Sequence, residues 1–232
     1  MIEIKSLTAS VTEYLRNQII AGSFPAGQRL NETELAARLD VSRPPLREAF
    51  RVLEHEHLIV SIPRKGTYVS TISVDDLENL YTIREMLECY AITLLAADKV
   101  REVPAMKSAL SLAESLPIPN NQDPEEILHY LEVFARFHLT LMEATGNPWM
   151  IHFYNSISSH LARYQYLYLN VPGSRQGSLA EHERFVTLLT TGSYEQAGKQ
   201  MAKHIRTAFA RTREKMVKEG IGQQPQQDPH KG

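Results

Sequence analysis

The sequence is short of the features that mark several large protein classes. It has a single cysteine, Cys89, in 232 residues. One thiol makes neither an internal disulfide nor a cysteine zinc cage, and suits a reducing compartment. No apolar run approaches the roughly 18 residues of a membrane span. The start, Met1-Ile2-Glu3-Ile4-Lys5, lacks the basic-then-apolar order of a secretory signal. A cytoplasmic protein with no membrane partner is expected. Neither sign of charge prevails: 25 Lys and Arg against 27 Asp and Glu leave a formal net charge of -2. Any nucleic-acid surface must therefore be concentrated in one region. There is no internal repeat, no His-Glu-x-x-His pair and no Gly-x-Ser-x-Gly elbow, so the common signatures of metal-dependent and serine hydrolysis are missing.

What is present is an ordinary globular balance, 43% apolar and 22% charged, enough for a packed core. Leu7, Val11, Leu15 and Ile19 repeat every four residues and predict a first helix ending at Gly22. Phe24-Pro25-Ala26-Gly27 reads as a loop. Asn31 is a good N-cap, with Glu34 three residues on, for a short helix carrying Leu35, Ala36 and Leu39. Ser42 caps a third helix, in whose first turn Pro44 and Pro45 are tolerated because those positions need no N–H donor. Leu46, Ala49, Phe50 and Leu53 give it one buried face. Strands at Leu58–Ile62 and Thr67–Ile72 flank a Pro63-Arg64-Lys65-Gly66 turn. Three helices and a β-hairpin thus make a compact module over residues 1–72.

Residues 73–218 read as all helical. A long helix is expected from Asp75 to Asp98, others from Pro124 to Gly146, from Trp149 to Leu169, from Ser178 to Thr190, and a last one to Lys218. Glu102–Leu116 reads as a variable, Pro-bounded segment, and Val171–Gly177 as a Gly/Pro/Ser loop. Residues 219–232, rich in Gly, Gln and Pro without apolar periodicity, are expected to be a disordered tail. The expected fold is mainly α: a module with a small hairpin followed by an all-α antiparallel bundle.

Arg43, Arg47 and Arg51 are spaced by four on the third helix, opposite its apolar face. Such a stripe is often only a solvated face. Arg43, however, sits in the first turn, where the helix dipole disfavours a cation by about 0.3–1 kcal/mol. A recognition helix enters the major groove by its N-terminal end, and Arg can grip guanine bidentately for about 1–3 kcal/mol of discrimination. Arg64-Lys65-Gly66 at the hairpin tip would then be a basic wing.

The run from Val11 to Val69 resembles the winged helix-turn-helix of GntR-family regulators. The resemblance is carried by Ile19-x-x-Gly22, Pro25-x-Gly27-x-x-Leu30, Glu34-Leu35-Ala36, Val41-Ser42-Arg43-x-Pro45-Leu46-Arg47-Glu48-Ala49, Leu53 and Pro63-x-x-Gly66-x-x-Val69. It implies that Arg43 and Arg47 read double-stranded operator DNA, with Ser42 and Pro44 at the backbone and Arg64, Lys65 and Gly66 in the wing. Thr33 replaces a residue that is often basic. His57 stands where the family usually has Gly, so it either accepts a left-handed conformation or reshapes the helix end.

Arg84-x-x-x-Glu88, Phe137-His138, Gly146-Asn147-Pro148, Glu181-His182 and His204 resemble the all-helical effector domain of the FadR branch, the FCD domain, in its VanR-like form of about six helices. That resemblance implies a homodimer on a pseudo-palindromic operator, a small organic-acid effector clamped by Arg84, and a divalent metal. His138, His182 and His204 match three of the metal ligands. The acid expected four residues before the first His is here Phe134. Three neutral imidazoles suit Zn²⁺ or Ni²⁺ with one position open. The expected function is a metabolite-responsive transcription regulator, a repressor rather than an activator. The alternatives are a metal-free sensor of acyl-CoA type, against which the three His argue, and a metal-dependent hydrolase fused to a DNA-binding arm.

Overall fold

The computed structural model describes residues 6–100, 103–117, 124–169 and 171–222. The chain begins with α1 (Leu7–Ile20), β1 (Arg29–Leu30), α2 (Glu32–Arg38), α3 (Arg43–His55), β2 (Ile59–Ile62) and β3 (Gly66–Val69). Val11, Leu15 and Ile19 of α1 pack on Leu46, Phe50 and Leu53 of α3, with Leu35 and Leu58 closing the core. Leu7 does not join this stripe: it lies in the first turn of the helix and is exposed. Arg16 makes a bidentate pair with Glu56, at 2.8 and 2.6 Å, fastening α1 to the far end of α3.

The hairpin is part of a three-stranded antiparallel sheet in the order β1-β3-β2. Arg29 and Leu30 pair with Tyr68 and Thr67. A strand of two residues has no periodicity to read, and its existence depends on the partner across the ladder. Both hairpin strands are shorter than their β-rich sequence predicts. Asn31 caps α2 through the N–H groups of Thr33 and Glu34. Ser42 occupies the N-cap of α3 without a side-chain cap bond. His57 accepts the left-handed conformation, with φ 56°.

Six helices follow: α4 (Val74–Ala97), α5 (Pro104–Ser115), α6 (Pro124–Ala144), α7 (Pro148–Leu169), α8 (Ser174–Thr190) and α9 (Tyr194–Glu219). Two of them correct the sequence reading. The Pro-bounded segment is helix α5, with Pro104 in its first turn and Met106, Ala109, Leu110 and Ala113 buried on one side. Proline there starts a helix rather than breaking it. The loop expected up to Gly177 ends earlier, because Gly173, with φ 77°, caps α8 and Ser174 begins it. At the other end Gly220 is a left-handed C-cap, and Ile221 packs against the bundle. The expected disordered tail therefore does not begin at 219; residues 223–232 lie outside the described residues.

The bundle core runs through Leu77, Ala91, Phe137, Leu141, Tyr164, Phe185 and Ile205. It meets the first module along α1, where Ile20 packs with Ile127 and Leu131 of α6. Tyr164 of α7 donates to Asp76 at 2.7 Å. No described helix is long and apolar enough to cross a membrane.

Candidate DNA surface and ligand centre

The buried face of α3 leaves its other face to solvent, and Ser42, Arg43, Pro44, Arg47 and Arg51 all lie there exposed. Arg47 touches Glu32 of α2 at 2.9 Å, and Arg51 touches Glu48 at 2.6 Å. Pairs this exposed are worth at most about 1 kcal/mol, so they do not hold the guanidiniums against a stronger anion. Thr33 is exposed on α2 beside them.

At the hairpin tip Arg64 and Lys65 are exposed, and Arg64 has a positive φ of 64°. Gly66 has φ 117°, and a Cβ there would stand 3.0 Å from Nε of Arg29. Both facts favour glycine. They also reveal a residue that the sequence reading missed. Arg29, in what reads as a loop, reaches the wing because β1 pairs with β3.

The second cluster lies inside the bundle. Arg84 from α4, His138 from α6, His182 from α8 and His204 from α9 are all almost fully buried. The three imidazoles bring one ligand atom each to within 4.8 Å of one another. Nε2 of His182 and Nε2 of His204 face each other at 3.2 Å. Phe137 stacks on His182 with ring centroids 3.9 Å apart and fixes its plane. Two carboxylates stand behind the rings: Glu88 Oε2 lies 2.7 Å from His138 Nδ1, and Glu181 Oε2 lies 2.8 Å from His204 Nδ1. A carboxylate only accepts, so each Nδ1 carries the hydrogen and each Nε2 keeps its lone pair for the centre.

Electrostatics keep His138 and His182 neutral. Burial lowers the His138 imidazole to about 4, although Glu88 opposes it. Burial, then the neighbouring His204, His138 and Arg84, hold His182 well below its ordinary value. Burial would raise the Glu88 carboxyl, but His138 and Arg84 outweigh it and hold it near 2. Neutral nitrogen donors with carboxylates behind them are what a structural or regulatory Zn²⁺ or Ni²⁺ requires. The 3.2 Å separation of two Nε2 atoms is close to the edge, about 3.3 Å, of a tetrahedron with metal–nitrogen bonds of about 2.0–2.1 Å. The donor set fits such an ion as three ligands. Among the described residues it includes no carboxylate; Phe134 lies at the position one turn before His138 and is packed against Tyr130.

Arg84 is not free. Its Nε donates to Glu88 at 2.7 Å, and its Nη2 lies 2.7 Å from His138 Nε2. The cavity bounded by Tyr81, Arg84, Phe134, Tyr168 and the three His has a volume of about 20 Å³, room for one water or one ion. Glu88 was legible as the i+4 partner of Arg84. The pairing of Glu181 with His204, and the approach of Gln165 and Tyr168 from α7, were not, since each joins different helices.

A three-helix module with a basic wing, joined to a helical bundle with a polar centre, defines a class: one-component DNA-binding regulators. Comparison with known proteins gives the family. Residues 7–69 match the gntR family of bacterial regulatory proteins, and residues 79–207 match the FCD domain. The chain belongs to the GntR family, in its FCD-bearing branch, and is a transcriptional regulator rather than an enzyme. It is 29% identical over 196 residues to the uncharacterized HTH-type transcriptional regulator YdhC of Bacillus subtilis, covering 82% of this chain and 84% of that one. It is 26% identical over 143 residues to the gluconate operon transcriptional repressor of the same organism, covering 62% and 57%. A crystal structure of a GntR regulator from Rhodococcus sp. RHA1 superposes with a TM-score of 0.70 at 25% identity, covering 90% of this chain and 98% of that one.

Proposed function

We propose that the protein is a cytoplasmic, homodimeric repressor that binds a pseudo-palindromic operator and is controlled by a small organic acid held in the helical bundle. The observation that carries the reading is the exposed guanidinium pair of Arg43 and Arg47 at the leading end of α3. In this reading Arg43 and Arg47 contact base edges in the major groove. Thr33, Ser42 and Pro44 contact the backbone, and Arg64, Lys65 and Gly66 contact phosphates or the minor groove. Residues 1–72 form the DNA-binding domain and residues 73–218 the effector domain. Repression is supported by similarity to the gluconate operon transcriptional repressor.

A dimer is supported by an apolar surface on two packed helices. Met86 and Tyr90 of α4, and Trp149 and Phe153 of α7, are each more than half exposed. The two helices touch where Tyr164 of α7 meets Asp76 of α4. A patch of that kind marks an interface. Two-fold pairing then presents two α3 helices to two half-sites.

In the bundle His138, His182 and His204 would hold a divalent metal, Zn²⁺ or Ni²⁺, which supplies an open coordination position for a carboxylate. Arg84 supplies charge beside it. The chain's own contribution is orientation: Glu88 and Glu181 fix two imidazoles, and Phe137 fixes the third. Filling a cavity of only about 20 Å³ with an organic acid requires the helices around it to shift. Such a shift can bias the two DNA modules between competent and incompetent placements. The test is selection of duplexes from a random pool by the purified protein, followed by release with organic acids in the presence and absence of Zn²⁺. Enrichment of an inverted repeat, and release by one acid, are expected. A pool that stays random at low salt contradicts the reading.

A further inference from the structure

The three imidazoles do not stand alone in their cavity; one of them already has a cation on its lone pair. A neutral imidazole has one such pair. In His138 the Nδ1 hydrogen goes to Glu88 Oε2 at 2.7 Å, which leaves Nε2 as the acceptor, and Arg84 Nη2 donates to it at 2.7 Å. Nε2 is the atom that a metal would need. A guanidinium and a metal ion cannot share one lone pair.

We propose that Arg84 is a gate on the His centre. Its guanidinium caps His138 Nε2 until an anion draws it away, and only then is the third nitrogen available to a divalent cation. Metal and anion thereby bind with positive coupling, and neither is held tightly alone. This inference rests on the metal reading above and specifies how that site is regulated.

Three observations point the same way. First, Arg84 is anchored through its Nε. Its Nε is held by Glu88 Oε1 at 2.7 Å on its own helix, so the Nη end can leave His138 without breaking the buried ion pair. Second, there is a receiver for the anion. Tyr81, one helical turn before Arg84, is buried and lines the same cavity; its hydroxyl interacts with Arg84 and Thr212, and its ring lies 5.6 Å from the Arg84 guanidinium carbon. Arg84 and Tyr81 together make a site for one carboxylate-sized anion. Third, Phe134 removes the protein's own anionic ligand. Glu88 and Glu181 stand behind the rings rather than at the centre, so an incoming anion completes the charge balance beside the guanidinium. A small monocarboxylate or dicarboxylate has the required chemistry.

The experiment is zinc and nickel titration of the full chain after chelator stripping, against a chromophoric competitor, in chloride and in acetate at matched ionic strength. The proteins are wild type, Arg84→Met, the double variant Arg84→Met/Glu88→Gln, and His182→Ala. The double variant removes both members of the buried pair together, which keeps the test alive if Arg84→Met alone misfolds. The gate predicts that loss of the guanidinium tightens metal binding at least tenfold. It also predicts that acetate tightens metal binding to wild type several-fold more than to the Arg84 variants, while His182→Ala binds nothing. Equal metal affinity in wild type and both Arg84 variants overturns the gate and leaves the metal reading standing. No metal binding by any of the four proteins overturns both.

Discussion

Arg163 of α7 gives both ends of its guanidinium to one residue, Ser70: Nη1 donates to the Ser70 hydroxyl and Nη2 to the Ser70 carbonyl, each at 2.8 Å. Ser70 lies just after the last strand of the wing, so a helix that lines the His cavity through Gln165 and Tyr168 also grips the segment leading out of the DNA-binding module. Arg163 is buried, and hydrogen bonds to a charged group contribute about 1.5–3 kcal/mol when buried. Arg163→Ala is expected to lower stability by about that amount, read from urea midpoints, and to open residues 70–73 to limited proteolysis. An unchanged midpoint and digestion pattern would show that the grip is idle.

Acid should loosen the bundle. Burial depresses His138 to about 4 and holds His182 well below its ordinary value, and burial beside Arg163 lowers His160. A histidine whose folded value lies below its unfolded one contributes stability that is complete above about 6.5 and is lost as pH falls toward the folded value. Glu88, held near 2, adds a loss in the same direction below about 4.5. The urea midpoint of chelator-treated protein is therefore expected to be level from pH 8 to 7 and to fall steadily from 6.5 to 4. A midpoint that rises on acidification would contradict the neutral, buried assignment of these rings.

The proposed dimer has its own test. Tyr90→Glu together with Phe153→Glu places charges on the exposed apolar surface of α4 and α7 and touches no core residue. The expected result is a monomer by sedimentation, with unchanged helical content and operator affinity reduced at least tenfold, because one half-site remains per molecule. A dimer that survives both charges would place the two-fold contact elsewhere.

Much of the fold follows from local signals. The Asn31 cap, the Leu46/Ala49/Phe50/Leu53 stripe and the Gly146-Asn147-Pro148 stop each act within one or two turns and are readable in the chain. Features that depend on a distant partner are not. β1 exists because Tyr68 and Thr67 lie across from it, and α5 hides behind a proline that starts it. The site divides in the same way. Arg84 and Glu88 are one turn apart, and the residues around His138, His182 and His204 carry a family pattern. That Glu88 serves both Arg84 and His138, and that Arg84 caps His138 Nε2, depends on α4 lying against α6, which no spacing encodes. His160, buried near His57 with its Nδ1 3.9 Å from an Asp76 oxygen, looks from the sequence like any surface histidine of an amphipathic helix.

His57 shows the same division. The family pattern marks the position for glycine, and the structure keeps the left-handed backbone with φ 56° despite the side chain. His57→Gly is expected to stabilise the end of α3 modestly, by up to about 1 kcal/mol, and to leave operator affinity unchanged. A large loss of stability would mean that the ring contact with His160, at 6.4 Å between centroids, holds the two halves together.

The central claim is that the leading end of α3 enters duplex DNA, and fluorescence anisotropy with a selected duplex at one fixed low salt concentration tests it most directly. Wild type should bind, and Arg43→Ala/Arg47→Ala should lose at least tenfold in affinity, about 1.4 kcal/mol, with an unaltered circular dichroism spectrum. Equal binding by both proteins, or no binding of any duplex by the wild type, would contradict the account.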